Sequence, residues 1–214
     1  MKAMKSLVLA AVLLFATSHA DAYYLNLNNE GLTGGPWGEV TLTDTTYTGL
    51  DAVFFKVDPF AAAFDGVSGN FGLQTFLFNE STGRANLLGD IQVVQTNPSG
   101  WDMTYSASSE LGGTGPYGKF EFQYKGTGGT RADPLEFYLT TSAFDIQASQ
   151  FAVTSPNTNF MFEAHIAGFI VDEDEDLTSA QFATGNPVPE PGTIMLLGAG
   201  FLGLAVYSKR RRNV

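Results

Sequence analysis

The chain contains no cysteine. That excludes a disulfide framework, a thiolate metal ligand and a cysteine nucleophile, and it leaves hydrophobic burial as the main source of stability. Basic side chains are also scarce in the middle of the sequence, where only Lys56, Arg84, Lys119, Lys125 and Arg131 fall between residues 23 and 188. Against them stand twenty acidic side chains, a net charge of −15 over a segment whose ends hide part of the imbalance, since the whole chain carries −11. Such a surface repels nucleic acid and anionic lipid, so neither is an expected partner. Histidine is confined to His19 and His165, and no window of twelve residues after Tyr23 has helical periodicity.

What the sequence does have is two apolar ends and a turn-rich, aromatic middle. Met1 to Ala22 carries Lys2 and Lys5, then the apolar stretch Leu7 to Ala16, then the small residues Ser18-His19-Ala20-Asp21-Ala22. That order is a secretory signal for signal peptidase, with cleavage after Ala20 or after Ala22. At the other end, Asn186-Pro187-Val188-Pro189-Glu190-Pro191-Gly192 places three prolines at alternate positions. Each lacks a backbone donor and fixes φ, so this stretch is an extended spacer open to a processing enzyme.

Beyond the spacer, Thr193 to Tyr207 is free of charge and is followed by Ser208-Lys209-Arg210-Arg211-Arg212. Taken as a helix, Gly192 to Tyr207 spans about 24 Å, a little under a bilayer core of roughly 30 Å, and the following cations can snorkel to make up the difference. Lys209, Arg210, Arg211 and Arg212 form a stop-transfer cluster that sets the C-terminus in the cytoplasm and everything before it outside. The expected division is therefore a signal peptide at 1–22, an ectodomain at 23–186 and a sorting segment at 187–214.

Together, Val188-Pro189-Glu190-Pro191-Gly192-Thr193, the Gly-containing apolar run Ile194 to Leu204 and the terminal basic cluster resemble the PEP-CTERM sorting signal. The resemblance implies that Pro189, Glu190 and Pro191 are the recognition motif of an exosortase, an integral-membrane, transpeptidase-like enzyme. It also implies a Gram-negative, exopolysaccharide-producing source. The protein would be anchored in the inner membrane with its ectodomain in the periplasm, and then pass to the cell surface or extracellular matrix, associated with exopolysaccharide or biofilm. A sortase signal does not fit, because the order Leu-Pro-x-Thr-Gly is absent.

The middle reads as all-β. Short alternating or aromatic runs recur between Gly, Pro, Asn and Asp clusters, giving nine expected strands: Glu39 to Thr43, Ala52 to Val57, Gly72 to Phe78, Ile91 to Gln95, Trp101 to Ser106, Lys119 to Lys125, Leu135 to Thr140, Phe151 to Thr154 and Phe160 to Val171. Nine strands at this spacing predict an antiparallel β-sandwich, jelly-roll-like, followed by a single transmembrane helix. In Lys119-Phe120-Glu121-Phe122-Gln123-Tyr124-Lys125 the three rings share one face, and Phe160, Phe162, Ala164 and Ile166 do the same on the last strand. The glycine-rich stretches Gly31 to Gly38, Gly112 to Gly118 and Gly126 to Gly129 are turns, since none opens a helix as a phosphate-binding loop must. Asp58 to Phe64 is a short helical turn.

Four features are candidates for chemistry. Glu163 and His165 fall on one face of the last strand, opposite the core set, which reads as an exposed polar pair and alternatively as an acid–base pair of a hydrolase. Asp172, Asp174 and Asp176 lie in an acidic run that could hold calcium weakly, although Leu177 replaces the glycine and Ala183 the glutamate of an EF-hand. Trp37 and Trp101 sit beside turns and are candidate platforms for a sugar ring, with packing over the sandwich end as the simpler role. Asn79-Glu80-Ser81 matches a glycosylation acceptor. No cofactor and no catalytic residue are expected, and the leading reading is a non-enzymatic surface protein, with a carbohydrate-binding module as its rival.

Overall fold

The computed structural model describes residues 20–81, 90–106, 111, 117–155, 158–171 and 179–184. Within them the chain forms two antiparallel sheets. The first contains β1 (Ala20–Leu25), β3 (Gly38–Tyr47), β4 (Leu50–Pro59), β9 (Leu135–Thr140) and β6 (Gln92–Asn97), in the spatial order β1-β3-β4-β9-β6. The second contains β2 (Leu27–Asn28), β11 (Ser179–Thr184), β10 (Phe162–Ile170), β5 (Gly66–Phe78), β8 (Phe122–Lys125) and β7 (Asp102–Tyr105), in the order β2-β11-β10-β5-β8-β7.

Alternation decides which side of each strand is buried. On β3, Val40 and Leu42 point inward, and on β4 so do Val53, Phe55 and Val57, all fully buried. The two strands are joined by Thr48-Gly49, with φ of 51° and 86°. Positive φ at both central residues gives the tight turn whose twist matches the flanking strands, and it closes a hairpin paired from Tyr47–Leu50 to Gly38–Pro59. Both strands therefore run further toward the turn than the apolar pattern alone predicts.

The core is a lattice of rings shared between the sheets. Phe55 stacks on Phe137 within the first sheet at 4.8 Å and meets Phe78 of the second at 5.1 Å; Phe78 in turn stacks on Phe122 at 4.9 Å. Burying a large apolar side chain stabilises by about 1.5–3 kcal/mol, so this lattice replaces the disulfides that the sequence cannot form. The turn expected at Asp58 to Phe64 is present as a 3-10 turn at Ala61–Ala63, and Phe64 behind it stacks on Phe169 at 4.3 Å.

The expected strands are found, with one exception. Phe151 to Thr154 is not a strand: it follows a 3-10 turn at Ala148–Gln150, and Phe151 plugs the core between Phe55 and Phe78 at 5.7 and 6.0 Å. Its apolarity reflects a single buried ring, not a pleated run. Three strands were not expected. β2 is a two-residue pairing on β11, and β11 alternates small residues around Phe182, which gives a weak pattern. β1 begins at Ala20, inside the stretch read as the signal, and pairs Ala20, Asp21 and Ala22 with Thr43, Leu42 and Thr41.

Among the described residues no helix is long and apolar enough to cross a membrane. The apolar run Thr193 to Tyr207, the motif Pro189-Glu190-Pro191 and the acidic run at Asp172, Asp174 and Asp176 lie outside the described residues.

Candidate functional site

Trp37, one of the two candidate sugar platforms, is only 3% exposed and packs against Phe182 with ring centres 5.5 Å apart. Its backbone N–H donates to the Leu25 carbonyl at 2.9 Å, so the loop folds the indole over the core. Trp37 is thus a lid on the sandwich end and not a platform.

Trp101 differs. It is 7% exposed, its indole N–H donates to the Thr130 carbonyl at 2.7 Å, and its ring lies 5.4 Å from Tyr124. Pinned in this way it cannot present a free face, but it forms part of the floor of a groove of about 530 Å³. The groove lies between β6 and β7, which are the outermost strands of the two sheets on the same side of the sandwich.

The chain builds this groove from side chains that alternation turns inward where, among the described residues, no further strand is paired. Val93 is paired with the core residue Leu139, and Met103 and Tyr105 are paired with Tyr124 and Phe122. On any inner strand these positions would be core, but at the two edges they line an opening, and Tyr105 remains 38% exposed. Sequence reading did not single out Tyr105, because an aromatic at an inward position reads as core unless the strand is known to be at an edge.

Polar groups line the same opening. The hydroxyls of Thr96 and Tyr124 hydrogen-bond to each other, linking the first sheet to the second. Burial raises the Tyr124 phenol above its ordinary value, the Thr96 hydrogen bond opposes this, and the Asp102 carboxylate adds to it. Asp102 and Gln92 are both exposed along the rim. Among the described residues that line it Asp102 is the one charged side chain, and its cross-strand neighbour is Lys125.

The expected pair Glu163 and His165 does share the outer face of β10, but only His165 has partial access to solvent. Glu163 is 1% exposed, one carboxylate oxygen has no hydrogen-bond partner, and desolvation raises its pKa from 4.5 to about 7. The expectation of an exposed pair is corrected here. Beside Glu163 on the sheet are Leu77 and Ala183, both buried. Tyr117 is near enough that the Glu163 charge, with Glu30 and after burial, pushes its phenol up to about 12. The segment bearing Tyr117 is tied down through Ser155, whose hydroxyl donates to the Lys119 carbonyl and accepts from the Lys119 N–H. His165 is held below its ordinary value by burial first, then by Arg131 and Lys125.

Asn79 is also corrected. It is 3% exposed, and its side-chain carbonyl accepts the Glu121 N–H at 2.9 Å, so its amide is inside the fold and closed to a glycosyl donor. Next to it the Glu121 carboxylate accepts the Glu80 N–H at 2.9 Å, and burial raises the Glu121 pKa. Among the described residues no three potential metal ligands come together.

Comparison with curated proteins gives no match, and comparison with solved structures gives none either. A comparison with family models matches residues 187–212 to the family described as the PEP-CTERM protein-sorting motif. Downstream of its two-sheet β structure, the chain carries a PEP-CTERM sorting motif, consistent with recognition by an exosortase.

Proposed function

We propose that this chain is a non-enzymatic structural or adhesive protein of the cell surface or extracellular matrix, associated there with exopolysaccharide or biofilm. It is exported by its N-terminal signal and held in the inner membrane by Thr193 to Tyr207. Lys209 to Arg212 lie on the cytoplasmic side until an exosortase recognises Pro189-Glu190-Pro191 and removes the apolar run with the basic cluster behind it. The observation that carries this reading is the sorting motif at 187–212, placed directly behind an antiparallel β ectodomain whose connections we read as jelly-roll-like.

The acidity of the ectodomain supports a role among neutral or cationic partners and opposes nucleic acid. A hydrolase built on Glu163 and His165 is disfavoured by geometry: a general acid must reach its substrate, and Glu163 is enclosed. The carbohydrate-binding reading loses Trp37 but gains the groove floored by Trp101.

Replacing Pro189, Glu190 and Pro191 together by alanine tests the sorting step. The parent protein is expected at the cell surface or in the matrix, and the variant in the inner-membrane fraction. An unchanged distribution would remove the exosortase from this account.

A further inference from the structure

We propose that the groove between β6 and β7 is a binding site for a neutral oligosaccharide stretch, with Tyr105 as its stacking surface and Asp102, Gln92 and the Thr96–Tyr124 hydroxyl pair as its hydrogen-bonding groups. This deepens the adhesive reading above by giving it a site and a ligand class.

Its volume of about 530 Å³ lies within the roughly 300–1,000 Å³ typical of small-ligand sites. Its lining mixes two kinds of surface at close quarters. Met103, Tyr105 and Phe122 offer an apolar wall, while Thr96, Gln92 and Asp102 offer donors and acceptors. A purely aliphatic ligand would satisfy the wall and leave the polar groups desolvated without partners, which is unfavourable for each of them. A sugar ring presents C–H faces and hydroxyl edges together, and so answers both.

Charge narrows the class further. Among the described lining residues Asp102 is the only charged side chain, and the segment from 23 to 188 is strongly acidic. A uronate or phosphate-bearing chain would meet repulsion from this net charge, which Lys125, the cross-strand neighbour of Asp102, offsets only in part. An exposed carboxylate is instead a good double acceptor for vicinal hydroxyls.

The experiment uses the full chain in lipid nanodiscs. Saturation-transfer NMR and titration followed by tryptophan fluorescence are run with neutral gluco-, manno- and galacto-hexasaccharides, and with an oligogalacturonate of equal length. Fluorescence is assigned with Trp37→Phe, which leaves Trp101 as the sole reporter; the NMR measurement needs no substitution. The expected result is saturable binding of at least one neutral hexasaccharide, weakened about tenfold by Tyr105→Ala and weakened by Asp102→Asn, with oligogalacturonate binding at least about tenfold more weakly. Tyr105 is part-exposed, and circular dichroism of the variant confirms that it folds. The proposal is overturned if no neutral hexasaccharide binds, if Tyr105→Ala binds as the parent does, or if oligogalacturonate binds as tightly. None of these outcomes touches sorting, which is read from cell fractions and not from binding curves.

Discussion

At the scale of single residues, Glu163 is the group with the clearest energetic consequence. Its carboxyl titrates near 7 in the folded chain and near 4.5 when solvated. Below pH 4.5 it is protonated in both states and has no effect on stability relative to a neutral group. As pH rises from 4.5 through 7 the unfolded chain ionises freely while the folded chain resists, so stability falls across that window and stays lowered above it. The full effect is on the order of 3 kcal/mol. Glu163→Gln, which keeps the shape and removes the charge, is expected to unfold at higher urea concentration than the parent at pH 8. At pH 4 the two should nearly coincide. Equal midpoints at pH 8 would mean that the carboxylate finds compensation when it ionises. Sequence reading placed this residue on the correct face of β10 and assigned it the wrong surroundings. Period-two alternation shows which way a side chain points, but whether another segment covers that face depends on contacts such as Ser155 with Lys119 across 36 positions. Trp101 is a similar case, since its neighbours Thr130 and Tyr124 are distant in sequence.

Individual strands show where pattern succeeds and where it fails. Strands with bulky alternating residues, such as β4 and β9, are legible because Val, Phe and Leu recur at every second position. β11 escapes because its inward face carries one large apolar residue, Phe182, between Ala180 and Thr184, and β1 escapes because its first residues look like a cleavage site. That overlap has a consequence for export. Cleavage after Ala22 would remove Ala20, Asp21 and Ala22, half of the pairs that β1 makes with β3, whereas cleavage after Ala20 keeps two of those three. The mature protein is therefore expected to begin at Asp21, as N-terminal sequencing would read, and a start at Tyr23 would show that β1 tolerates the shorter form.

β5 carries a second test at this scale. Gly72 has φ of +138°, and a Cβ there would lie 2.4 Å from the Ala132 carbonyl oxygen. Both the backbone angle and the close approach require glycine, at the point where β5 and β10 shift register. Gly72→Ala is expected to destabilise by about 2–4 kcal/mol, measured as a lower unfolding midpoint. A midpoint within error of the parent would mean that the bulge relaxes freely.

For the whole molecule, composition and pattern disclosed an antiparallel two-sheet fold without disulfides. They did not disclose which strands lie at the edges. Only the sheet order puts β6 and β7 on the same side, and the groove lies where both sheets end among the described residues. No local window of sequence contains that information, so an edge aromatic such as Tyr105 reads as core, whereas Trp37, beside glycines, reads as exposed. The address of the molecule is carried differently, in a contiguous run where proline, apolar and basic segments follow one another, and so it is legible directly. The central claim is that this run is a signal which is used and then removed. The most direct test is the intact mass of the protein recovered from the outer surface of the producing cell. The account predicts a species that ends near Pro191 and lacks the apolar run and Lys209 to Arg212. Recovery of the whole population with the basic tail still attached would contradict it.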